Sequence, residues 1–192
     1  MQPDKDEIFR TDRLILRNWR DAEPDHEACY RLNSDPTVME YFPFRRSRAE
    51  SAEKLIQFKG EIDKIGYCLA PVVEIETGQI AGMTGLMDIH FARPFDAQVE
   101  IGWRFLPEFW GKGYASESAT GWLNWGFKKL GVPEIVAFAI EENTGSTNVM
   151  KRIGMEPHPV REFDHPQVGE EHPNLIRHVL YRITRRQWVE LN

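Results

Sequence analysis

Residues 100–115 read Glu100-Ile101-Gly102-Trp103-Arg104-Phe105-Leu106-Pro107-Glu108-Phe109-Trp110-Gly111-Lys112-Gly113-Tyr114-Ala115. Apolar residues alternate up to Phe105; then come proline and two glycines, then helical spacing. The stretch is a strand, a tight loop and a helix start. Upstream, 97–105 alternates: Val99, Ile101, Trp103 and Phe105 face one way, Gln98, Glu100, Gly102 and Arg104 the other. Downstream, Ala115, Ala119, Leu123, Phe127 and Leu130 share one face of a helix over 114–130, which Gly131 and Pro133 stop. Residues 134–140 are almost continuously apolar, the pattern of a strand buried on both faces. Two strands joined by a helix imply a parallel crossover pair, 97–105 beside 134–140.

Working outward, 12–19 reads as a first strand and 22–33 as a short helix, with Asp35-Pro36 a turn or a new helix start. Ser47 and Glu50 form a capping box for a helix over 48–65, whose Leu55, Phe58, Ile62 and Ile65 recur at helical spacing. Gly66 ends it. Two apolar runs, 67–75 and 79–89, flank Glu76-Thr77-Gly78 as a hairpin. Beyond 140, the pattern predicts a short helix near 144–153 stopped by Gly154, a strand at 176–183 and a helix over 186–191. The expected fold is mixed α/β: one central sheet, mostly antiparallel, with one parallel pair, flanked by helices. It forms a single domain over 1–192.

Composition agrees. The chain has 192 residues, 41% hydrophobic and 28% charged, with net charge −6. One domain of that size buries a core without metal or disulfide staples. An acidic balance argues against a nucleic-acid partner. Cys29 and Cys68 stand far apart without a Cys/His cluster, so they read as core residues of a reduced protein, not zinc ligands. The longest apolar run is Ile135 to Ile140, whereas a membrane helix needs about 20 residues. The first residues, Met1 to Glu7, lead into no apolar core of a signal peptide. A cytoplasmic location, with no membrane partner, is expected.

The loop at 106–113 carries the chemistry. Amides at a helix N-terminus suit a phosphate, and Gly111 and Gly113 allow positive φ and close backbone approach. Lys112 either stays in solvent or reaches an anion. A Walker loop would need glycine at Leu106 and Ser or Thr at Gly113; a dinucleotide fingerprint would need glycine at Ser116. Both are excluded. What remains is either a phosphate cradle or a turn whose glycines serve tightness alone.

At this point the sequence resembles the GNAT acetyltransferases, in particular their RimJ/RimL-like branch. The resemblance starts at Arg13-Leu14-Ile15-Leu16-Arg17 and passes through Asn33-Ser34-Asp35-Pro36. It centres on Trp110-Gly111-Lys112-Gly113-Tyr114-Ala115-Ser116-Glu117. It continues into Asn143-Thr144-Gly145-Ser146-Thr147-Asn148 and Lys151-Arg152-Ile153-Gly154-Met155. The family's pyrophosphate loop, Gln/Arg-x-x-Gly-x-Gly/Ala, finds Trp110 at its first position, with Gly113 and Ala115 matching. The resemblance implies acetyl-CoA as co-substrate, with its diphosphate on the amides of Gly111, Lys112, Gly113, Tyr114, Ala115 and Ser116. It implies that the pantetheine pairs with backbone at Phe105, Leu106 and Pro107, between splayed strands, and that Asn143 and Asn148 bind it from the second motif. Each asparagine reads equally as a cap or turn residue.

Direct acetyl transfer to an amine needs a neutral amine, a polarised thioester and a proton for the departing sulfur. A lysine-type amine, of pKa about 10.4, is mostly protonated at pH 7. A base helps by about 10²–10⁴-fold. Glu100, on the strand beside the cleft, is the candidate base; otherwise it is a solvent-facing or salt-bridged carboxylate. Many family members place a Tyr seven residues after the motif Asn; here that position is Met150. Ser146 matches the serine given the protonating role in the RimL-like branch, or else it is a helix-start serine. Trp19, Tyr41, Phe42 and Phe44 either line the acceptor site or belong to the core. The six histidines show no pairing motif. The expected function is N-acetylation of a primary amine on a protein N-terminus or small molecule, by a monomer or homodimer. The alternative is a non-catalytic acyl-CoA-binding sensor or assembly module. The 156–178 segment either packs on a second copy or covers the acceptor cleft.

Overall fold

The computed structural model describes residues 5–191; most of the leader-free reading of the first residues lies outside that range. Strands β1 (Glu7–Arg10) and β2 (Leu14–Arg17) precede helices α1 (Glu23–Ser34) and α2 (Arg48–Ile65). Strands β3 (Ala70–Glu74), β4 (Ile80–Asp88) and β5 (Val99–Phe105) form the meander, followed by α3 (Tyr114–Lys129), β6 (Glu134–Ala139) and α4 (Thr144–Arg152). The chain closes with β7 (Glu156–Pro157), β8 (Phe163–Asp164), β9 (Arg177–Thr184) and α5 (Arg185–Leu191). The sheet order is β1-β2-β3-β4-β5-β6-β9-β7, with β8 on β9. Among the described residues only β5 and β6 pair parallel, as the crossover helix requires.

The helices form for the reasons visible in sequence. Ser47 and Glu50 cap α2 reciprocally, and Gly66 ends it at φ 88°. In α3 the buried stripe runs through Ser118, Ala119, Trp122, Leu123, Gly126 and Phe127. It is rotated from the expected face, so that Trp122 is fully buried and Ala115 and Leu130 are only partly so. Small residues decide this. A Cβ on Gly126 would come within 2.7 Å of Leu86, and one on Gly121 within 2.4 Å of Phe9. These glycines let α3 lie close against the sheet and β1.

The two sheet faces carry different helices. On β4, Thr84 Oγ1 meets Ser118 Oγ of α3 at 2.9 Å, and Leu86 packs at Gly126. The opposite face of β5 holds Arg104, which donates to Asn33 of α1 at 2.7 Å. Glu100, Gly102 and Arg104 therefore look toward the α1–α2 layer, as alternation requires. Trp19 is core, 1% exposed, with its indole N–H on the Leu69 carbonyl at 2.7 Å. Of its two readings, acceptor lining or core, the core one holds. Cys29 and Cys68 are buried and unbonded to one another, and burial pushes both thiols up to about 11, which suits packing and not nucleophilic attack. Strand β1 and the two-residue strands β7 and β8 were not expected, because runs this short have too few residues for a periodicity. No helix among the described residues is long and apolar enough to cross a membrane.

Candidate active site

The site is a gap that the sheet opens. β5 and β6 are in register at one pair, Glu100 with Val136. Beyond it β5 stays with β4: Gly82 opposes Phe105, and Leu106 N donates to Ala81 O at 3.0 Å. β6 stays with β9 as far as Ala139 opposite Val179. Trp103, Arg104 and Phe105 therefore face Phe138, Ala139 and Ile140 across a cavity of about 760 Å³. Edge backbone turned into a cavity invites an amide-bearing arm to pair as an added strand.

At one end lies the glycine loop. Gly111 has φ 74° and Gly113 φ 81°, so both need glycine for conformation. A Cβ on Gly111 would meet nothing within 4 Å, and one on Gly113 only Arg13 Nη2 at 3.6 Å. The first helical bond of α3 runs from Glu117 N to Gly113 O. The amides of Tyr114, Ala115 and Ser116 come before it and are free of intrahelical acceptors. Ser116 Oγ is buried without a partner in the same wall. Free amides, a helix dipole and an orphaned hydroxyl fit a diphosphate.

The loop is held from behind. Trp110 donates its indole N–H to Phe105 O at 2.7 Å. Arg13 bonds Glu117 and, through Nη1, the Lys112 carbonyl at 3.0 Å. Tyr114 donates its hydroxyl to Glu74, and Lys112 Nζ lies 3.2 Å from the same carboxylate. Hydrogen bonds from Thr77 and then Tyr114 hold Glu74 down to about 2, so it is a fixed anion. The Lys112 side chain thus takes the anion-reaching alternative, with the Glu74 carboxylate as the anion, and lies over the Phe109 ring and outside the cavity wall. Leu106 and Pro107 also lie outside the wall: the Leu106 amide is taken by Ala81 and proline has none. Of the expected pantetheine-pairing residues, Phe105 alone lines the cavity, and its carbonyl already accepts from Trp110.

The second wall is the start of α4. Asn143 is the N-cap, its Oδ1 accepting from Ser146 N at 3.0 Å. Capping uses only that oxygen and leaves the amide nitrogen for the cavity, which Asn143, Ser146 and Asn148 all line. The Ser146 hydroxyl makes no hydrogen bond among the described residues. Met150, 2% exposed, closes the wall.

Glu100 sits where the strands part. It lines the cavity, and its carboxylate has no hydrogen-bond partner among the described residues. Burial pushes it up to about 8, with the Arg93 charge pulling the other way. Tyr41, Phe42 and Phe44 line the same cavity. So do His165 and His178, from the segment that the sequence offered either as a cover of the cleft or as a surface for a second copy. The segment after β7 folds over the cleft, bringing His165 and His178 to 5.0 Å between ring centroids beside Phe138. Burial lowers both histidines, His165 to about 4 with help from His178, so they are neutral aromatic walls at pH 7. Only the β9 return makes them neighbours; no spacing signals it. Arg104, by contrast, shared the Glu100 face in the alternation. Among the described residues no group of three His, Cys, Asp or Glu could hold a metal ion.

A family model described as the acetyltransferase (GNAT) domain matches residues 13–156. The chain is 35% identical over 146 residues to the protein named Uncharacterized N-acetyltransferase YnaD of Bacillus subtilis (strain 168), covering 76% of this chain and 80% of that one. A solved GNAT-family acetyltransferase from Bacillus anthracis superposes with TM-score 0.73 at 29% identity, over 92% of this chain and 98% of that one. The ribosomal-protein-S5-alanine acetyltransferase of Vibrio fischeri gives TM-score 0.73 at 19% identity, over 94% and 97%, a likeness of fold alone. The chain belongs to the GNAT acetyltransferase family; it is an acyltransferase, and acetyl-CoA is its co-substrate.

Proposed function

We propose that this GNAT enzyme, acting as a single domain, transfers acetyl directly to the primary amine of a protein N-terminus or a small molecule. The carrying observation is the unpartnered Glu100 carboxylate at the point where β5 and β6 diverge. Bound acetyl-CoA supplies an activated thioester. The amides of 113–116 and the Ser116 hydroxyl orient its diphosphate, and the Asn143 and Asn148 side chains flank its arm. Glu100 accepts the proton that the amine nitrogen must lose as its bond to the acyl carbon forms. Ser146 donates to the sulfur as the carbon–sulfur bond breaks. The aromatic lining keeps the site dry, which strengthens both proton transfers. No covalent enzyme intermediate is needed, since both substrates meet in one cavity. The RimJ/RimL-like branch is the reading that Ser146 and Met150 support.

The test is CoA thiol release over an amine panel, with acetylated products identified by mass spectrometry. Amine-dependent release that Glu100→Gln abolishes near neutral pH supports the reading. Tight acetyl-CoA binding without amine-dependent release from any acceptor defeats it.

A further inference from the structure

The acceptor end of the cavity has an unusual charge pattern. Phe42 and Phe44 stand 6.0 Å apart between ring centroids, and each carries an arginine on its face. The Arg104 guanidinium lies 4.3 Å from the Phe42 centroid and that of Arg46 lies 4.4 Å from Phe44. Arg104 Nη1 donates to Asn33 Oδ1 at 2.7 Å. Asn33, 1% exposed, is itself fixed by donating to the Cys29 carbonyl at 2.7 Å. Arg104 is therefore aimed, and its Nε and Nη2 have no acceptor among the described residues.

Neither Arg104 nor Arg46 has a carboxylate within ion-pair distance among the described residues, although the chain has 30 Asp and Glu. The contrast is Arg17, also shielded, which forms two bonds to Asp25 at 2.7 and 2.9 Å. Burial and then the Arg46 charge hold Arg104 down to about 10. Burial, followed by Arg46 and then Arg104, likewise lowers the Lys54 ammonium. Arg104 lines the cavity, with Arg46 and Lys54 close enough to act on its neighbourhood from outside the lining; Glu40 lines the same cavity but makes no ion pair with Arg104 or Arg46 among the described residues. Shielded cations are costly unless something negative meets them. A guanidinium stacked on an aromatic ring, with its fork free, suits a carboxylate or phosphate.

We propose that the Arg104 wall is an oxyanion subsite: the acceptor carries a carboxylate or phosphate, which Arg104 receives, with Arg46 on the Phe44 ring adding its charge, while its amine meets Glu100. The proposal rests on the acetyl-transfer reading above. Glu100 and Arg104 lie on one face of β5, four residues and so roughly 13 Å apart along the strand. The amine and the oxyanion therefore sit at opposite ends of the acceptor, several bonds apart. A small ω-amino acid or amino-alkyl phosphate has that form.

The experiment compares matched acceptors with the full chain and acetyl-CoA. The carboxylate arm is lysine against cadaverine; the phosphate arm is an aminopentyl phosphate against the corresponding aminopentanol. At least one anionic member should exceed its neutral partner about ten-fold or more in kcat/KM, and the arm that shows this names the oxyanion. Arg104→Gln should bring that ratio toward one through KM, and Arg104→Lys should keep part of it. Neutral partners equal or better in both arms, or a ratio unmoved by Arg104→Gln, overturn the subsite. So does preferred acetylation of a C-terminally amidated alanine peptide over every anionic amine. A second measurement needs no turnover: calorimetric titration of CoA-loaded protein with inorganic phosphate and with glutarate. Weaker binding in Arg104→Gln and in Arg46→Gln supports the subsite even where no amine is acetylated and the transfer reading fails. Equal binding in both variants and wild type overturns it. Far-UV circular dichroism and melting establish that each variant is folded.

Discussion

Glu100 on β5 stands opposite Val136 on β6, and the two parallel strands are in register at that pair and then part. The carboxylate therefore sits at the apex of the cleft, where an arm lying between the strands would present its reacting end. That position also explains its titration. Burial at the apex disfavours the charged form, and the Arg93 charge offsets part of that.

The first prediction concerns rate against pH. With its pKa near 8, Glu100 is only about a tenth ionised at pH 7 in the free enzyme. Wild-type kcat/KM should fall with unit slope below about pH 8 and level off above it. In Glu100→Gln the amine must lose its proton to solution, so the rate rises up to the acceptor's own pKa. The fractional loss is thus largest and constant below pH 8, then shrinks. At its largest it should be about 10²–10⁴-fold. Steady-state rates across a pH series check this; a loss that stays constant up to pH 10 would make Glu100 a binding carboxylate.

A second prediction is thermodynamic. The folded-state pKa of Glu100 is raised above the unfolded value near 4.3. A raised carboxyl costs nothing below the unfolded pKa. As pH climbs from there the unfolded state ionises and the folded state resists, so a penalty accrues until about pH 8. Glu100→Gln removes the penalty. Its melting temperature should match wild type near pH 4 and exceed it at pH 8. A difference of the opposite sign at pH 8 would show that the charge is compensated in the folded protein.

Ser146 and Asn143 separate chemistry from capping. Ser146→Ala deletes a hydroxyl that has no partner among the described residues, so the fold should be nearly unaffected. Loss of its hydrogen bond to the departing sulfur is worth about 1–3 kcal/mol, or about 5- to 150-fold in kcat with acetyl-CoA affinity kept. Asn143→Ala removes the bond to Ser146 N and should cost about 1 kcal/mol of stability. Full activity in Ser146→Ala would leave protonation of the sulfur to water.

Gly113→Val should weaken acetyl-CoA binding by about ten-fold or more, because a non-glycine residue at φ 81° costs about 1–3 kcal/mol and shifts the loop amides. The nearest atom to its Cβ is the movable end of Arg13 at 3.6 Å, so the fold should survive. Calorimetry with acetyl-CoA decides it, and unchanged affinity would remove the diphosphate from this loop.

Asp25→Ala should destabilise the protein by about 3–5 kcal/mol, by leaving Arg17 shielded without its anion. The carboxylate also accepts from Arg20 N at 2.8 Å, so the β2–α1 connection loosens with it. Urea unfolding measures the loss; a loss under about 1 kcal/mol would mean that water reaches Arg17 in the variant.

Much of this was legible along the chain. Alternation set the faces of β5, the capping box at Ser47 set the start of α2, and Gly111 and Gly113 marked a loop needing positive φ. These are local signals: a residue and its neighbours within four positions fix the backbone they can adopt. The crossover from 97–105 to 134–140 was legible too, because the chirality and length of a strand–helix–strand unit leave few topologies. Local reading failed where burial depends on distant partners. Trp122 is sequestered because Phe9, some 110 residues away, stacks edge-on at 5.2 Å between ring centroids.

The sequence by itself therefore determined the elements, the parallel pair and the positive-φ glycine loop that opens α3. The tertiary structure alone decided what faces the chemistry. It turned Lys112 toward Glu74, since a shielded carboxylate across the sheet outcompetes solvent for the ammonium. It brought His165 and His178 over the cleft through β8 and β9. It set Arg104 on Asn33 and Phe42 with no ion-pair partner among the described residues. Charge pairing and desolvation depend on distance in space, and the chain's own order does not encode that distance until the sheet has closed.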